Sequence, residues 1–180
     1  MTVLTSLLVA ILITYDVVKS LDNACPSGWI CLETKRLLAV DVKMTWSTAR
    51  DYCHSLNSNI VSIFNVEEQL VLAELSNKLS SSCLPLLGIC EKNVWIGAND
   101  LREEGIIQFD NDLAVSSEFY TRIEDLPWYY RRYSSIGHCA ADCYHLSIGD
   151  MSTIHNIPCS RKLPFFCEVL RNASVNKVQQ

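Results

Sequence analysis

A chain of 180 residues, 49% hydrophobic and 19% charged, has the composition of one ordinary globular domain. That excludes an intrinsically disordered protein and leaves little room for two full domains. A formal charge of −5 without any long basic run excludes the electrostatic footprint of a nucleic-acid binder.

The chain opens with an apolar run from Val3 to Tyr15, broken only by Thr and Ser and closed by Asp16. A membrane-spanning helix needs roughly 20 apolar residues, so this run is too short. It reads as the apolar core of an export signal over residues 1–24, with cleavage after Ser20 or Ala24. The expectation is a secreted, extracellular chain with no membrane anchor after processing. A buried N-terminal element is the competing reading.

Nine cysteines follow: Cys25, Cys31, Cys53, Cys83, Cys90, Cys139, Cys143, Cys159 and Cys167. No C-x-x-C knuckle and no Cys/His pairing of a zinc site occurs among them. Scattered cysteines behind an export signal predict a disulfide framework. An odd number leaves one thiol free or bridging two chains.

Further along, Leu37 to Val42 is a short strand candidate. Thr45 is placed to cap a helix, TWSTARDYCHSL, whose Trp46, Ala49, Tyr52, Cys53 and Leu56 share one face. Residues 59–64 (NIVSIF) predict another strand. Asn65 with Glu68 three residues on is a capping-box-like start for a second helix. SSSCLPLLGICEK reads as a loop, NVWIGAND as a buried strand ending in a turn, and GIIQF as a strand. Residues 110–137 have no period, and a segment of that length without structure of its own points to a functional loop. Three short strands follow, near CAADCYHL, TIHNIPC and PFFCEVL, and then a polar tail over 170–180. The order predicts an α+β domain with two helices segregated from an antiparallel sheet.

These segments together resemble the C-type lectin-like domains over residues 25–169. CPSGW at 25–29 resembles the family's opening, and TWSTARDYC at 45–53 its first helix. WIGAND at 95–100 resembles the WIGL segment, with Ala98 where leucine is usual. Gly105, Ile107 and Phe109 follow the family's next pattern. DC at 142–143, PC at 158–159 and FFCE at 165–168 resemble its closing strands. The resemblance implies a disulfide-stabilised fold of two helices, small antiparallel sheets and a long loop, with Cys53 paired to Cys167 and Cys143 to Cys159. Cys31 is the nearest partner for Cys25. Cys83 and Cys90 flank an inserted loop and suit a local pair, which leaves Cys139 to link a homodimer. A Cys90–Cys139 pair with Cys83 free is the alternative.

Sugar binding in this family usually runs through calcium, which needs six to eight hard oxygens. The usual ligands are an EPN or QPD triplet in the long loop, a Glu before the DC pair, and a WND triplet. In this chain the WND positions hold Ile154, His155 and Asn156, and the Glu position holds Ala141. With Trp128 as the loop tryptophan, the first triplet falls near Arg132, Tyr133 and Ser134, where Arg opposes a cation. The expectation is no calcium at this site and no other cofactor or metal; Glu124 and Asp125 are the alternative oxygen donors.

The loop instead carries Trp128, Tyr129, Tyr130, Arg131, Arg132 and Tyr133. Tyr, Trp and Arg are the commonest interface anchors, and two Arg can grip sulfate or carboxylate groups. The functional reading is a calcium-independent surface for a glycan or an extracellular protein. The competing reading has Trp128 and a Tyr filling the core beneath the loop, with both Arg solvated. A protein-interaction partner or inhibitor is the alternative function, and the family resemblance suggests innate immunity by analogy alone.

No nucleophile elbow, H-E-x-x-H helix or phosphate loop is present, so an enzyme is not expected. His145 and His155 can approach each other across the hairpin but fall short of a zinc ligand set, and read as surface or hydrogen-bonded residues. Glu67, Glu68, Glu103 and Glu104 read as solvated faces. Asn172 heads a glycosylation sequon in the tail.

Overall fold

The computed structural model describes residues 25–79, 82–84, 89–117, 119, 141–148 and 152–171, and the side chains of residues 82–84 and 89–91 lie outside that description. The elements are β1 (Trp29–Cys31), β2 (Lys35–Met44), α1 (Trp46–Ser55), β3 (Asn59–Ile60), α2 (Val66–Ser76), β4 (Ser82–Leu84), β5 (Ile89–Glu91), β6 (Asn93–Asn99), β7 (Cys143–Ser147), β8 (Thr153–Ile157) and β9 (Leu163–Leu170).

Both helices start where their capping residues place them. Thr45 Oγ1 accepts from Thr48 N at 3.3 Å, and Asn65 Oδ1 accepts from Glu68 N at 2.9 Å. Each bond satisfies one amide that the first turn leaves without a partner. Trp46, Ala49 and Cys53 turn into the core. Tyr52 and Leu56, at the edge of that face, stay more than a third exposed, and Tyr52 packs its ring edge-on to Phe165 at 5.7 Å.

The main sheet runs β1-β2-β9-β6-β7-β8, with β3 added alongside β9. All its pairings are antiparallel except β6 with β9. The strand expected over 59–64 shortens to Asn59–Ile60. Beyond it Val61 N still donates to Phe166 O at 2.9 Å, while Val61 O turns to accept from Gly97 N at 2.8 Å. That crossing brings two backbones so close that a Cβ on Gly97 would sit 2.7 Å from Ile60 O. The GIIQF segment is likewise not a ladder strand: Gln108 alone bridges, to Asn99 and to Ala114. The expected loop after Ser80 contains a hairpin, β4–β5, whose register sets Cys83 opposite Cys90.

The sheet separates two apolar layers. On one face Leu37, Val94, Ile96, Leu146 and Phe166 meet Leu72 of α2. On the other Trp95, Phe165 and Cys167 meet Trp46, Ala49 and Cys53 of α1. The alternation of Val94, Trp95 and Ile96 is the period-two signature of a strand covered on both sides. The two buried tryptophans keep their N–H groups paired, Trp46 to Ile96 O at 2.9 Å and Trp95 to Met44 O at 2.8 Å.

Among the described residues, three disulfides fasten this frame. Cys53–Cys167 spans 114 residues and ties α1 to β9. Cys143–Cys159 ties β7 to the chain after β8, and Cys25–Cys31 closes the turn before β2. In the chain-entropy account the long closure stabilises by about 4–5 kcal/mol.

Beneath α2 lies a buried ion cluster. Lys35 Nζ, on a side chain 2% exposed, stands 3.1 Å from Glu168 Oε2 and 3.0 Å from Glu68 Oε2. It also donates to Ser62 O at 2.8 Å and lies 5.0 Å over the Phe64 ring. Ser62 Oγ donates to Glu168 Oε1, and Asn111 Nδ2 reaches the same oxygen at 3.3 Å. Glu68 is therefore no solvated surface group: one carboxylate oxygen holds Lys35 and the Phe64 amide together. Burial pushes the Glu168 carboxyl above its usual range, against the pull of Lys35.

Candidate ligand-binding site

The long segment leaves the sheet at Asn99 and returns at Cys143. Its first arm is held down by backbone bonds. Asn99 and Gln108 exchange two, each 2.9 Å, and Asp110 N donates to Gly97 O at 2.9 Å. Apolar side chains anchor the same arm. Phe109 and Phe119 are buried in a row of edge-on rings running from Phe64 to Tyr144, with centroids 5.4 to 6.5 Å apart.

Two acidic residues fix the base of the segment. Asp110 Oδ2 accepts from Ile60 N at 3.2 Å and faces His54 Nε2 at 3.0 Å, linking the arm to β3 and α1. Burial raises its pKa, and those two partners oppose the rise. Asp100 Oδ2 accepts from Gly105 N at 3.1 Å, and Asp100 N donates to Asp142 O at 3.0 Å, joining the outgoing and returning arms. Burial raises the Asp100 pKa as well, and the charges of Glu104 and Asp142 add to it. Its other oxygen, Oδ1, is buried without a hydrogen-bond partner. These carboxylates had only a weak sequence signal, because Asp100 closes a strand motif and Glu104 sits in a hydrophilic turn. Among the described residues, no group of three or more His, Cys, Asp or Glu is placed to hold a metal ion.

The described positions of the family sugar site offer few donors. Ala141 is buried and Ile154 lies in the core at 0% exposure. The His155 ring bonds Thr153 Oγ1 at 2.7 Å. Among the described positions of that site, the oxygen-bearing side chains are the neutral amide of Asn156 and the carboxylate of the neighbouring Asp142.

Beside the arm, a cleft of about 320 Å³ opens against α1, with Trp46, Arg50, His54, Arg102 and Asp110 in its walls. Arg50 stacks over the Trp46 ring at 5.7 Å, and Arg102 pairs with Asp112 at 3.3 Å on the surface. The expected ligand residues Trp128, Tyr129, Tyr130, Arg131, Arg132 and Tyr133 lie outside the described residues, as do Cys139 and Asn172.

Two helices against a mixed sheet, a long segment between the middle strands and a disulfide from the first helix to the last strand define a C-type lectin-like fold. The Lectin C-type domain family model matches residues 42–169, and the chain belongs to that family. C-type isolectin Sp-CL4 of Scorpaena plumieri is 26% identical over 150 residues, covering 81% of this chain and 88% of the relative. C-type mannose receptor 2 of Mus musculus is 23% identical over 174 residues, covering 90% of this chain. The chain spans 11% of that receptor's length and 48% of another relative, natural killer cells antigen CD94 of Canis lupus familiaris. Among solved structures, the Kupffer cell receptor Clec4f superposes with a TM-score of 0.64 at 18% identity, covering 91% of this chain and 96% of that one. A calcium-independent type II antifreeze protein superposes with a TM-score of 0.60 at 18% identity, covering 82% and 95%. No helix among the described residues is long and apolar enough to cross a membrane.

Proposed function

We propose that this chain is a secreted, extracellular binding module that recognises a glycan or protein ligand without the family's standard calcium-dependent sugar site. The observation that carries the reading is the donor set at that site: Ala141 and His155 stand where oxygen ligands are usual, and Asn156 is neutral. Calcium bound there would lack the carboxylates that pay for stripping its water. A structural neighbour described as calcium-independent is consistent with the same frame working without the ion. The ligand surface is the segment carrying Trp128, Tyr129, Tyr130, Arg131, Arg132 and Tyr133, whose residue types favour protein interfaces and anionic saccharides.

The test is binding of the purified protein to a broad glycan array, once with calcium and once with chelator. Signal is expected to be the same in both conditions and to fall at least tenfold in an Arg131→Ala, Arg132→Ala variant, the loss typical of charged hydrogen bonds. Signal abolished by chelator would overturn the reading, with Glu124 and Asp125 the first residues to substitute. Silence on the array in both conditions would move the ligand to the protein class.

A further inference from the structure

The second helix, α2, turns an apolar stripe to the outside. Val66, Leu70 and Val71 are 45%, 57% and 40% exposed, while Gln69, Leu72, Ala73 and Ser76 face the core. Val66 and Leu70 stand one turn apart on the same side of the helix, with Val71 next to Leu70. The outer side of such a helix ordinarily carries polar residues, and a helix that is apolar all round is ordinarily covered.

The helix cannot roll to hide the stripe. Asn65 caps its first turn, and the Glu68 carboxylate is held inward by Lys35 Nζ and the Phe64 amide. Gln69 Nε2 donates to Ser152 O, and Leu72 and Ala73 pack into the core. These contacts fix the inner side, so the outer side is presented at a set angle.

Acidic residues border the stripe. Glu67 and Glu74 are both exposed and lie seven residues apart, which is about 10 Å along the axis. Neither forms an ion pair among the described residues. The cations stand at the other end: Lys78 is exposed just past the helix, and Lys92 Nζ donates to Asn77 O at 2.8 Å.

Those charges decide between occupants. A second copy of α2 laid antiparallel, with its Leu70 over Val71, sets Glu67 opposite Glu74 of that copy. Laid parallel, it sets each glutamate against its own counterpart. Facing like charges oppose both arrangements. The same carboxylates oppose an anionic lipid surface. A partner with basic flanks gains from them, and the chain's net charge of −5 draws such a partner in.

We propose that the outer face of α2 is a docking surface for a basic amphipathic helix of a partner protein. The apolar face of that helix covers Val66, Leu70 and Val71, and two of its Lys or Arg, about two turns apart, pair with Glu67 and Glu74. The surface uses no side chain of the 99–142 segment.

The probe is an amidated Leu/Lys peptide with Leu at helical spacing, about four turns long so that it spans α2. One control replaces every Lys by Glu, and the other scrambles the order so that no apolar face forms. Each is titrated into the full chain while backbone amide signals are followed by NMR. The expected result is a saturable shift confined to residues 66–78 with the Leu/Lys peptide, binding about tenfold or more tighter than either control. Leu70→Ser with Val71→Ser, both exposed positions, should weaken it about tenfold or more while the protein stays folded. Glu67→Gln with Glu74→Gln should weaken it severalfold and reduce its sensitivity to salt. Arg131→Ala with Arg132→Ala should leave it unchanged. No shift at α2, equal binding of either control peptide, or undiminished binding by the Leu70→Ser, Val71→Ser variant would overturn the proposal. Self-association of the free chain that is lost in that variant would replace the partner with a second copy, and binding to phosphatidylcholine vesicles lost in it would replace the partner with a lipid surface.

Discussion

Lys35 is the residue where sequence and structure part furthest. A lysine at the start of a strand ordinarily reads as solvent-facing, because lysine is almost never fully buried unless paired. Its partners come from α2 and β9, 33 and 133 positions along the chain, so no local pattern announces them. Within the low-dielectric layer each charge depends on the others, and removing one leaves an uncompensated buried ion. Lys35→Met is expected to lower stability by about 3–5 kcal/mol in urea unfolding. Lys35→Met combined with Glu168→Gln is expected to cost clearly less than the sum of the two single changes, since both belong to one cluster. Additive costs would show that the cluster is a set of independent contacts. His145 was hidden for the opposite reason: its place across from His155 was legible from the hairpin, but its 5% exposure is set by tertiary packing that no local pattern announces.

At the scale of elements, legibility followed local signal strength. The two helices carry an apolar face or a capping pair within a dozen residues, and β2, β6 and β9 carry continuous apolar runs, so all were readable. The 59–64 and 105–109 segments look like strands by residue type, yet Val61 keeps only its N–H on β9 while its carbonyl turns to Gly97 N, and Gln108 exchanges its bonds with Asn99. Tertiary approach decided those cases, and Gly97 records it. Gly97→Ala forces a Cβ against the Ile60 carbonyl, a backbone atom with little room to give. A loss of about 1–3 kcal/mol is expected from this overpacking, measured as a lower denaturation midpoint. An unchanged midpoint would mean that β3 and β6 can separate without loss.

For the whole molecule, the family resemblance carried two pairings that periodicity could not, Cys53–Cys167 and Cys143–Cys159, while Cys25–Cys31 followed from nearness in sequence. Spacing alone leaves many pairings of nine cysteines open. Cys53–Cys167, Cys143–Cys159 and Cys25–Cys31 account for six of them, and the β4–β5 register sets Cys83 opposite Cys90. Directly opposite residues of an antiparallel pair stand at Cα separations that suit a disulfide. If Cys83 and Cys90 pair, Cys139 is the cysteine left over, and a homodimer bridged through it is predicted. The check is electrophoresis with and without reductant: a doubled mass lost on reduction and absent in Cys139→Ser supports the bridge, and a monomer in both lanes removes it.

The pairing of β2 with β9 has a mechanical consequence. Lys35 faces Leu170, and Arg171 N donates to Thr34 O at 2.9 Å, so the two ends of the domain emerge as neighbours. Tension applied through adjoining chain would peel these strands apart one rung at a time. The tear passes Leu170, Val169 and Glu168 and then meets Cys167, which is bonded to Cys53. Everything enclosed between those two cysteines, including α2 and the long segment, is then sheltered from the load. The domain behaves as a clasp whose working surfaces stay shaped while its straps are pulled.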